Sequence, residues 1–356
     1  MTSTEKIALI VGANGIAGRS IASLLRDAGD WSIWTLSRKP SELGQLGHEL
    51  LVDLQSLESC QAAASQLRRA THIFYAARSP QHNLEAETHV NSEMLKNLIL
   101  TVTGGPNRLK HVSLIHGTKW YGSAHYAEYT HYKTPAQEDD PRHQPFNYYH
   151  LQQDFLQERQ ATQTWTWSAL RPHTIWGFNL GYPHNIGLLI AAYAIISKQL
   201  KQPLSFPGTQ ACYDSISQAT DAEFLAKAAR WAATNPSCSN QAFNLINSDF
   251  FRWRDLWPLI ARYFEMEVGP VRTIELASYM QDKETVWQAV IQQHKLRNTP
   301  FAQLGRWGYA DGVLRSDQDD MSSTVKCRQY GFQDIMPTSQ MCLALFAKLK
   351  ENKIIP

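Results

Sequence analysis

The chain has 356 residues, 43% of them hydrophobic and 19% charged, with a formal net charge of +2. That length suits a nucleotide-binding domain plus a smaller lobe and can bury about 75% of its unfolded surface, so no covalent or metal staple is required. The near-neutral balance, with no long run of Lys and Arg, excludes a dedicated nucleic-acid binder and an acidic tail. The five cysteines (Cys60, Cys212, Cys238, Cys327 and Cys342) are odd in number and never at CxxC spacing. They read as reduced thiols in a reducing, cytoplasmic compartment. The start, MTSTEKIALIVGANG, runs directly into a strand, without the form of a signal peptide. The longest apolar run, Ile186 to Ile196, falls short of the ~20 residues of a membrane helix and reads as a buried helix capped by Asn185. The 11 tryptophans point either to an aromatic-lined pocket or interface or to plain core packing.

Read in chain order, the first half alternates. KIALIVGA (6–13) is a continuous apolar run, as expected of a strand buried on both faces. RSIASLLRDAG has helical spacing and a closing Gly29. WSIWTLSR (31–38) and HELLVDL (48–54) are the second and third strands, and LESCQAAASQLRRA is helical. HIFYAA (72–77) is a fourth strand, EMLKNLILTV (93–102) a helix, HVSLIHG (111–117) a fifth strand, YYHLQQDFLQERQA a helix, and TWSALRPHTIWG (166–177) a sixth strand. Such units predict an α/β fold: a doubly wound parallel sheet of the Rossmann type with helices on both faces. After Gly177 the pattern loosens. The stretch 215–235 is a clean amphipathic helix and AFNLIN (242–247) is one more strand candidate. The organisation expected is a dinucleotide-binding domain from 1–177 and 211–247, a smaller, discontinuous substrate-binding cap from 178–210 and 248–330, and a C-terminal helix in 331–356.

GANGIAG sets Gly12, Gly15 and Gly18 between the first strand and first helix, with Asn14 and Ile16 among them. Such a turn lets backbone approach a pyrophosphate at a helix N-terminus. The spacing is GxxGxxG; a glycine pattern is weak alone and strong at the first strand-to-helix turn. An NAD enzyme usually has an acidic residue at the end of strand two. Here that place carries Ser37, Arg38 and Lys39, which suit a 2′-phosphate and predict NADPH. Asp53 and Leu54, after strand three, stand where such folds contact the adenine.

The tandem tyrosine in FNYYHLQQDF raises the question of catalysis, because the residue four after Tyr149 is Gln153 and not lysine. A literal YxxxK exists at Tyr129 and Lys133, but two prolines and polar residues follow it, and the spacing has meaning only on one helical face. Tyr148 and Tyr149 open a good helical segment. The loop HGTKWYG after strand five places Lys119 at the carboxyl end of the sheet, where open α/β sheets bind ligands. Thr118 is there to supply the hydroxyl of an ordinary short-chain enzyme. Lys119 beside Tyr149 would lower the phenol pKa and support a developing oxyanion.

VGANGIAG, SRKP, THIFYAA, GTKWYG, FNYYHLQQD, LRPHTIWGF, AFNLINSDFFRWRDLWPLIA, KETVWQAVI and NKIIP together resemble the progesterone 5β-reductase/iridoid synthase family, an atypical branch of the extended short-chain dehydrogenases/reductases. The resemblance runs along nearly the whole chain, and GTKxYG with NYY is its specific part. It implies Tyr149 and Lys119 as the catalytic pair and Tyr309 in RWGYAD as a substrate-pocket aromatic. It also implies NADPH-dependent 1,4-reduction of the C=C bond of an enone or enal, with enolate charge received by Tyr149 and Lys119. No metal is expected, since His125, His131, His143 and His150 lack ligand spacing. Pro172, His173 and Ile175 fall where the nicotinamide should lie, although a structural role for His173 stands equally. Trp120, Tyr121, Trp176 and Phe178 are candidate pocket walls, with core packing as the alternative. The partner expected is a small-molecule substrate, not a nucleic acid or a membrane, and a homodimer is left open. The rival readings are an ordinary extended carbonyl reductase, dehydrogenase or epimerase, and a non-catalytic NADPH-binding sensor.

Overall fold

The computed structural model describes residues 5–41, 43–122, 132–142 and 146–356. Seven strands form one sheet in the order β7-β6-β5-β4-β1-β2-β3. They are β1 Ile7–Val11, β2 Ser32–Ser37, β3 His48–Leu51, β4 His72–Tyr75, β5 His111–Ile115, β6 Thr166–Pro172 and β7 Gln241–Leu245. Every pairing is parallel. The order reverses between β1 and β4, so the carboxyl ends of those two strands open a crevice, the usual ligand position in such sheets.

Strand alternation assigns the two faces. Ile7, Leu9 and Val11 enter one core with Leu95, Leu98 and Leu156. These come from helices α2 Leu84–Thr103 and α3 Tyr148–Gln160. Ala8 and Ile10 enter the opposite core with Ile21, Leu25, Phe224 and Ala229, from α1 Ile16–Ala28 and α5 Ala222–Thr234. A third core gathers α4 Ile186–Gln199 with Trp257, Trp287 and Phe346. Asn185 caps α4 by accepting from Leu188 N at 3.2 Å. Among the described residues, no helix is long and apolar enough to cross a membrane.

Four elements differ from the sequence reading, and one is the sixth strand expected at 166–177, which ends at Pro172, while Ile175 and Trp176 pair separately with Thr220 and Asp221. The helix expected at 93–102 begins nine residues earlier, at Leu84, because Asn83 caps it, its Oδ1 accepting from Ala86 N at 2.8 Å. The helix expected from 215 begins at Ala222, since Asp221 is its cap and Ile216 and Ser217 instead pair with Arg252 and Phe251. The helix after β3 breaks at Ala63 into two short pieces. The tryptophans serve the cores: Trp165, Trp176, Trp257 and Trp287 are among the largest fully buried side chains.

Burial also sets an acid limit on the fold. His111 is pushed down to about 3, chiefly by burial, and His72 to about 4 by burial and then Lys110. The unfolded value is about 6.5, so the unfolded chain binds protons that the native one refuses. Their contribution to stability is complete above pH ~6.5 and is lost as pH falls toward the folded values, at up to about 1.4 kcal/mol per pH unit for each histidine. Denaturant midpoints measured from pH 7.5 to 4.5 are expected to fall, and to fall less steeply in a His111→Gln variant. Parallel slopes for the two proteins would contradict this.

Candidate active site

Two cavities meet at the carboxyl ends of β1, β4 and β5. The first, of 440 Å³, is lined by Gly12, Asn14, Gly15, Ser37, Arg38, Lys39 and Leu54, among others. The second, of 180 Å³, is lined by Ile16, Gly18, Lys119, Tyr149, Pro172, His173, Ile175 and Tyr309, among others. Gly15, Ala76, Ala77, Arg78 and Tyr182 line both. The glycine loop therefore runs between a basic compartment and the compartment that holds the tyrosine and lysine.

The three glycines have different reasons. Gly12 has φ +82, and a Cβ there would lie 2.8 Å from Ala77 N; one at Gly18 would lie 2.4 Å from the Gly12 carbonyl oxygen. Both are demanded by the chain's own packing. A Cβ at Gly15 would meet nothing closer than 3.4 Å, so the protein itself would accept a side chain there. The space above Gly15 is a cradle that a Cβ would fill, and α1 starts there with no side-chain cap on its amides. Free amides at a helix start beside an unfilled cradle fit a pyrophosphate.

Around this floor the first compartment's neighbours are tied down. Asn14 Nδ2 donates to the Lys39 carbonyl at 2.9 Å. Arg19 Nη2 donates to the Leu43 carbonyl at 2.7 Å, fixing the turn beyond the two cations. Arg38 and Lys39 are exposed, and no described residue lining this compartment is acidic. Asp53 does not line it: Val52 and Leu54 turn inward, while Asp53 between them turns out and accepts from Gln55 N at 3.0 Å. Asn179 donates from Nδ2 to the Asn14 carbonyl at 3.0 Å. Its Oδ1 is buried without a hydrogen-bond partner in the chain, on a residue that lines this compartment.

The tyrosine helix and the lysine turn are held as one piece. Asn147 caps α3 by accepting from Tyr149 N at 3.1 Å, and its Nδ2 donates to the Lys119 carbonyl at 2.7 Å. His150 Nε2 lies 3.1 Å from the Trp120 carbonyl. Lys119 Nζ lies 3.5 Å from Glu87 Oε1. That carboxylate is only 5% exposed and is also gripped by Arg78, whose Nε and Nη2 donate at 3.1 and 3.2 Å. One buried anion thus meets two cations at the rim of the second compartment, an arrangement that fixes the lysine's position.

Tyr149 stacks on His116, with ring centroids 4.4 Å apart and planes at 25°. Burial, followed by the charge of Arg171, holds His116 well below the ordinary histidine value. Burial and the neighbouring Tyr149 raise the Tyr148 phenol well above the usual range. A Cβ at Gly117 would stand 3.5 Å from the Tyr149 hydroxyl. The position facing that hydroxyl is therefore a glycine, while Thr118, expected to supply a hydroxyl, lines the same compartment from the next residue.

The structure also accounts for Gln153. Its Oε1 accepts from Arg171 Nη2 at 3.3 Å, and Arg171 is only 1% exposed. A lysine there would set a second cation against a buried guanidinium, with a large desolvation cost. Arg171 Nη1 donates to the Tyr121 hydroxyl at 2.8 Å, and its guanidinium carbon lies 3.7 Å from the Trp120 ring centroid.

Four expected pocket walls lie elsewhere. Trp120 and Tyr121 are buried together beside Arg171. Trp176 belongs to the third core, and Phe178 faces a separate groove formed by α1, α5 and the last helix. Tyr309 does line the second compartment, where its ring meets His184 at 4.8 Å. Tyr182 and His184 went unrecognised in the sequence because they lie in an irregular stretch without periodicity. Tyr129, His125, His131 and His143 lie outside the described residues, and among the described residues no cluster could hold a metal ion. His173 is buried, its Nε2 3.1 Å from Ser322 Oγ and its Nδ1 3.5 Å from Asp320 Oδ1; both ring nitrogens have structural partners.

The profile of the PRISE-like Rossmann-fold domain matches residues 45–356. The chain belongs to that family. Among PRISE-like relatives, it is 31% identical to 3-oxo-Delta(4,5)-steroid 5-beta-reductase of Arabidopsis thaliana, across 99% of this chain and 94% of that one. It is likewise 31% identical to an (S)-8-oxocitronellyl enol synthase of Nepeta racemosa, with the same coverage. Solved structures share the fold at low identity. A short-chain dehydrogenase/reductase superfamily protein of Agrobacterium tumefaciens with bound NAD has a TM-score of 0.65 and 14% identity, covering 98% of both chains. UDP-glucose 4-epimerase of Thermus thermophilus, in complex with NAD, has a TM-score of 0.63 and 15% identity, covering 97% of this chain and 99% of that one. This PRISE-like chain is thus an oxidoreductase, with the fold that those two structures share.

Proposed function

We propose that this PRISE-like protein is an NADPH-dependent reductase of activated C=C bonds, acting on an enone or enal by 1,4-reduction. The observation that carries the reading is that Lys119 and Tyr149 line one cavity with Gly15, Ile16 and Gly18 of the glycine loop. The relatives' names, a steroid 5-beta-reductase and an enol synthase, agree with it. The sheet-centred unit would bind the dinucleotide. The third core, against which Tyr309 packs, would close over the substrate, with Tyr182 and His184 lining the same compartment.

The residues present fit the cofactor. The glycine loop and the uncapped start of α1 would take the pyrophosphate, Arg38 and Lys39 the 2′-phosphate, and Asn179 a hydroxyl or amide of the ligand. Bound there, the nicotinamide supplies a hydride. The chain's own part is electrostatic. Reduction at the β-carbon gathers negative charge on the substrate's carbonyl oxygen, and the Tyr149 hydroxyl is the donor aimed into the compartment. Such a donor is strongest where water is excluded and the donor is held in place beforehand. Lys119, fixed by Glu87, adds a positive charge beside it. Gly117 leaves the space next to that hydroxyl free of a side chain, which a substrate oxygen would use.

NADPH oxidation with 2-cyclohexen-1-one, with the product identified by mass and NMR, tests the proposal. Cyclohexanone is expected, with NADPH used in preference to NADH. An allylic alcohol would overturn the reading in favour of an ordinary carbonyl reductase. NADPH binding with no turnover across a panel of enones would overturn it in favour of a sensor.

A further inference from the structure

We propose that His116 is a positioning residue for Tyr149, holding the phenol ring in place with its flat face. This rests on the reading of Tyr149 as the oxyanion donor. His116 follows β5 directly and is 5% exposed. Its ring stacks on Tyr149 at 4.4 Å and 25°, and also on Trp120 at 6.0 Å and 17°. Trp120 is in turn fixed by the Arg171 guanidinium at 3.7 Å and by the edge of His150 at 4.5 Å. A run of ring contacts thus leads from a buried cation to the phenol.

Neither nitrogen of His116 makes a hydrogen bond of normal geometry, although Gln152 gives the ring a weak polar contact. A buried imidazole kept for its nitrogens would normally have both satisfied. What the surroundings do satisfy is its face. The ring stays uncharged at working pH, through burial and the nearby Arg171, so the stack does not change as other groups titrate. The rotation that α3 leaves to the Tyr149 side chain is the freedom this contact removes. A tyrosine free to turn would still leave the dinucleotide site intact, so the role is on turnover and not on cofactor affinity.

The test compares His116→Ala, His116→Phe and His116→Leu with wild type and with Tyr149→Phe. The readouts are kcat with 2-cyclohexen-1-one, the Kd for NADPH by fluorescence, and thermal melting. His116→Ala is expected to lose about tenfold in kcat, the upper worth of one aromatic stack. NADPH affinity should stay within about twofold, since the residues proposed to hold the 2′-phosphate and the pyrophosphate, Arg38, Lys39 and the glycine loop, do not touch the His116 stack. His116→Phe, which keeps a flat face and discards the nitrogens, should restore kcat to within about threefold of wild type. His116→Leu keeps volume without the face; it should behave like Ala, and it carries the test if the Ala variant fails to fold. Equal losses in Phe and Ala variants would assign the role to the nitrogens and overturn the proposal. So would full kcat in the Ala or Leu variant. If Tyr149→Phe is inactive while the His116 variants are normal, only this inference fails; if Tyr149→Phe turns over normally, the reading of Tyr149 itself fails.

Discussion

Tyr149→Phe is expected to lower kcat for enone reduction by about a hundredfold, corresponding to the ~3 kcal/mol that one oxyanion donor typically supplies. The ring stays, so the stack on His116 and the packing of α3 are kept, and the dinucleotide compartment is untouched. NADPH affinity and melting temperature should therefore equal those of wild type, with the loss confined to kcat. This separates a missing proton donor from a disturbed fold. Turnover at the wild-type rate would mean that the enolate charge is met by some other group, and the assignment of Tyr149 would fall.

The second large effect is expected at Glu87, which carries no chemistry of its own. Its carboxylate is buried and lies between Arg78 at 3.1 and 3.2 Å and Lys119 at 3.5 Å. Glu87→Ala leaves two cations facing each other with no anion between them. Removing one partner of a buried ionic cluster costs 3–5 kcal/mol; because the Arg78 and Lys119 side chains keep 26% and 19% exposure, the lower end, about 3 kcal/mol, is expected here. The urea midpoint should fall accordingly. kcat should drop at least about tenfold, because Lys119 then loses the carboxylate that helps to hold it in the compartment of Tyr149. Glu87→Gln preserves the shape and one acceptor but loses the charge, so it should lose a smaller part of that stability than Glu87→Ala and still lose rate. A Glu87→Ala protein with an unchanged midpoint would show that Arg78 and Lys119 find solvent or other partners at no cost.

The contrast between these two residues explains what was legible in advance. Tyr149 stands in a helical segment whose cap and apolar spacing are local, and Lys119 follows a strand whose continuous apolar run is local; both are readable along the chain. Glu87 was hidden because the first turns of its helix, from Leu84, are polar and lack the apolar period that marked 93–102. Asn83, with Glu85 and Glu87 in the first turn, was the available signal. The four aromatic walls failed for a related reason. Composition places a tryptophan near other apolar groups without saying whether those groups leave a space, and at Trp120 and Trp176 they leave none.

The sequence by itself determined the alternation of strands and helices, the glycine turn, the basic end of strand two, the absence of a lysine at 153 and the family to which the chain belongs. Each of these depends on neighbours within a few residues or on spacing along one element. Only the tertiary structure decided that Gly12 and Gly18 are required by the chain while Gly15 leaves a cradle open. It also decided that Gln153 serves Arg171, that Gly117 faces the Tyr149 hydroxyl, that His116 stacks on the Tyr149 ring, and that Glu87 holds both Arg78 and Lys119. These facts join residues as far apart as Glu87 and Lys119, or Gln153 and Arg171, on different elements. The doubly wound sheet brings them together at the ends of β4, β5 and β6, and no local period along the chain encodes such a meeting.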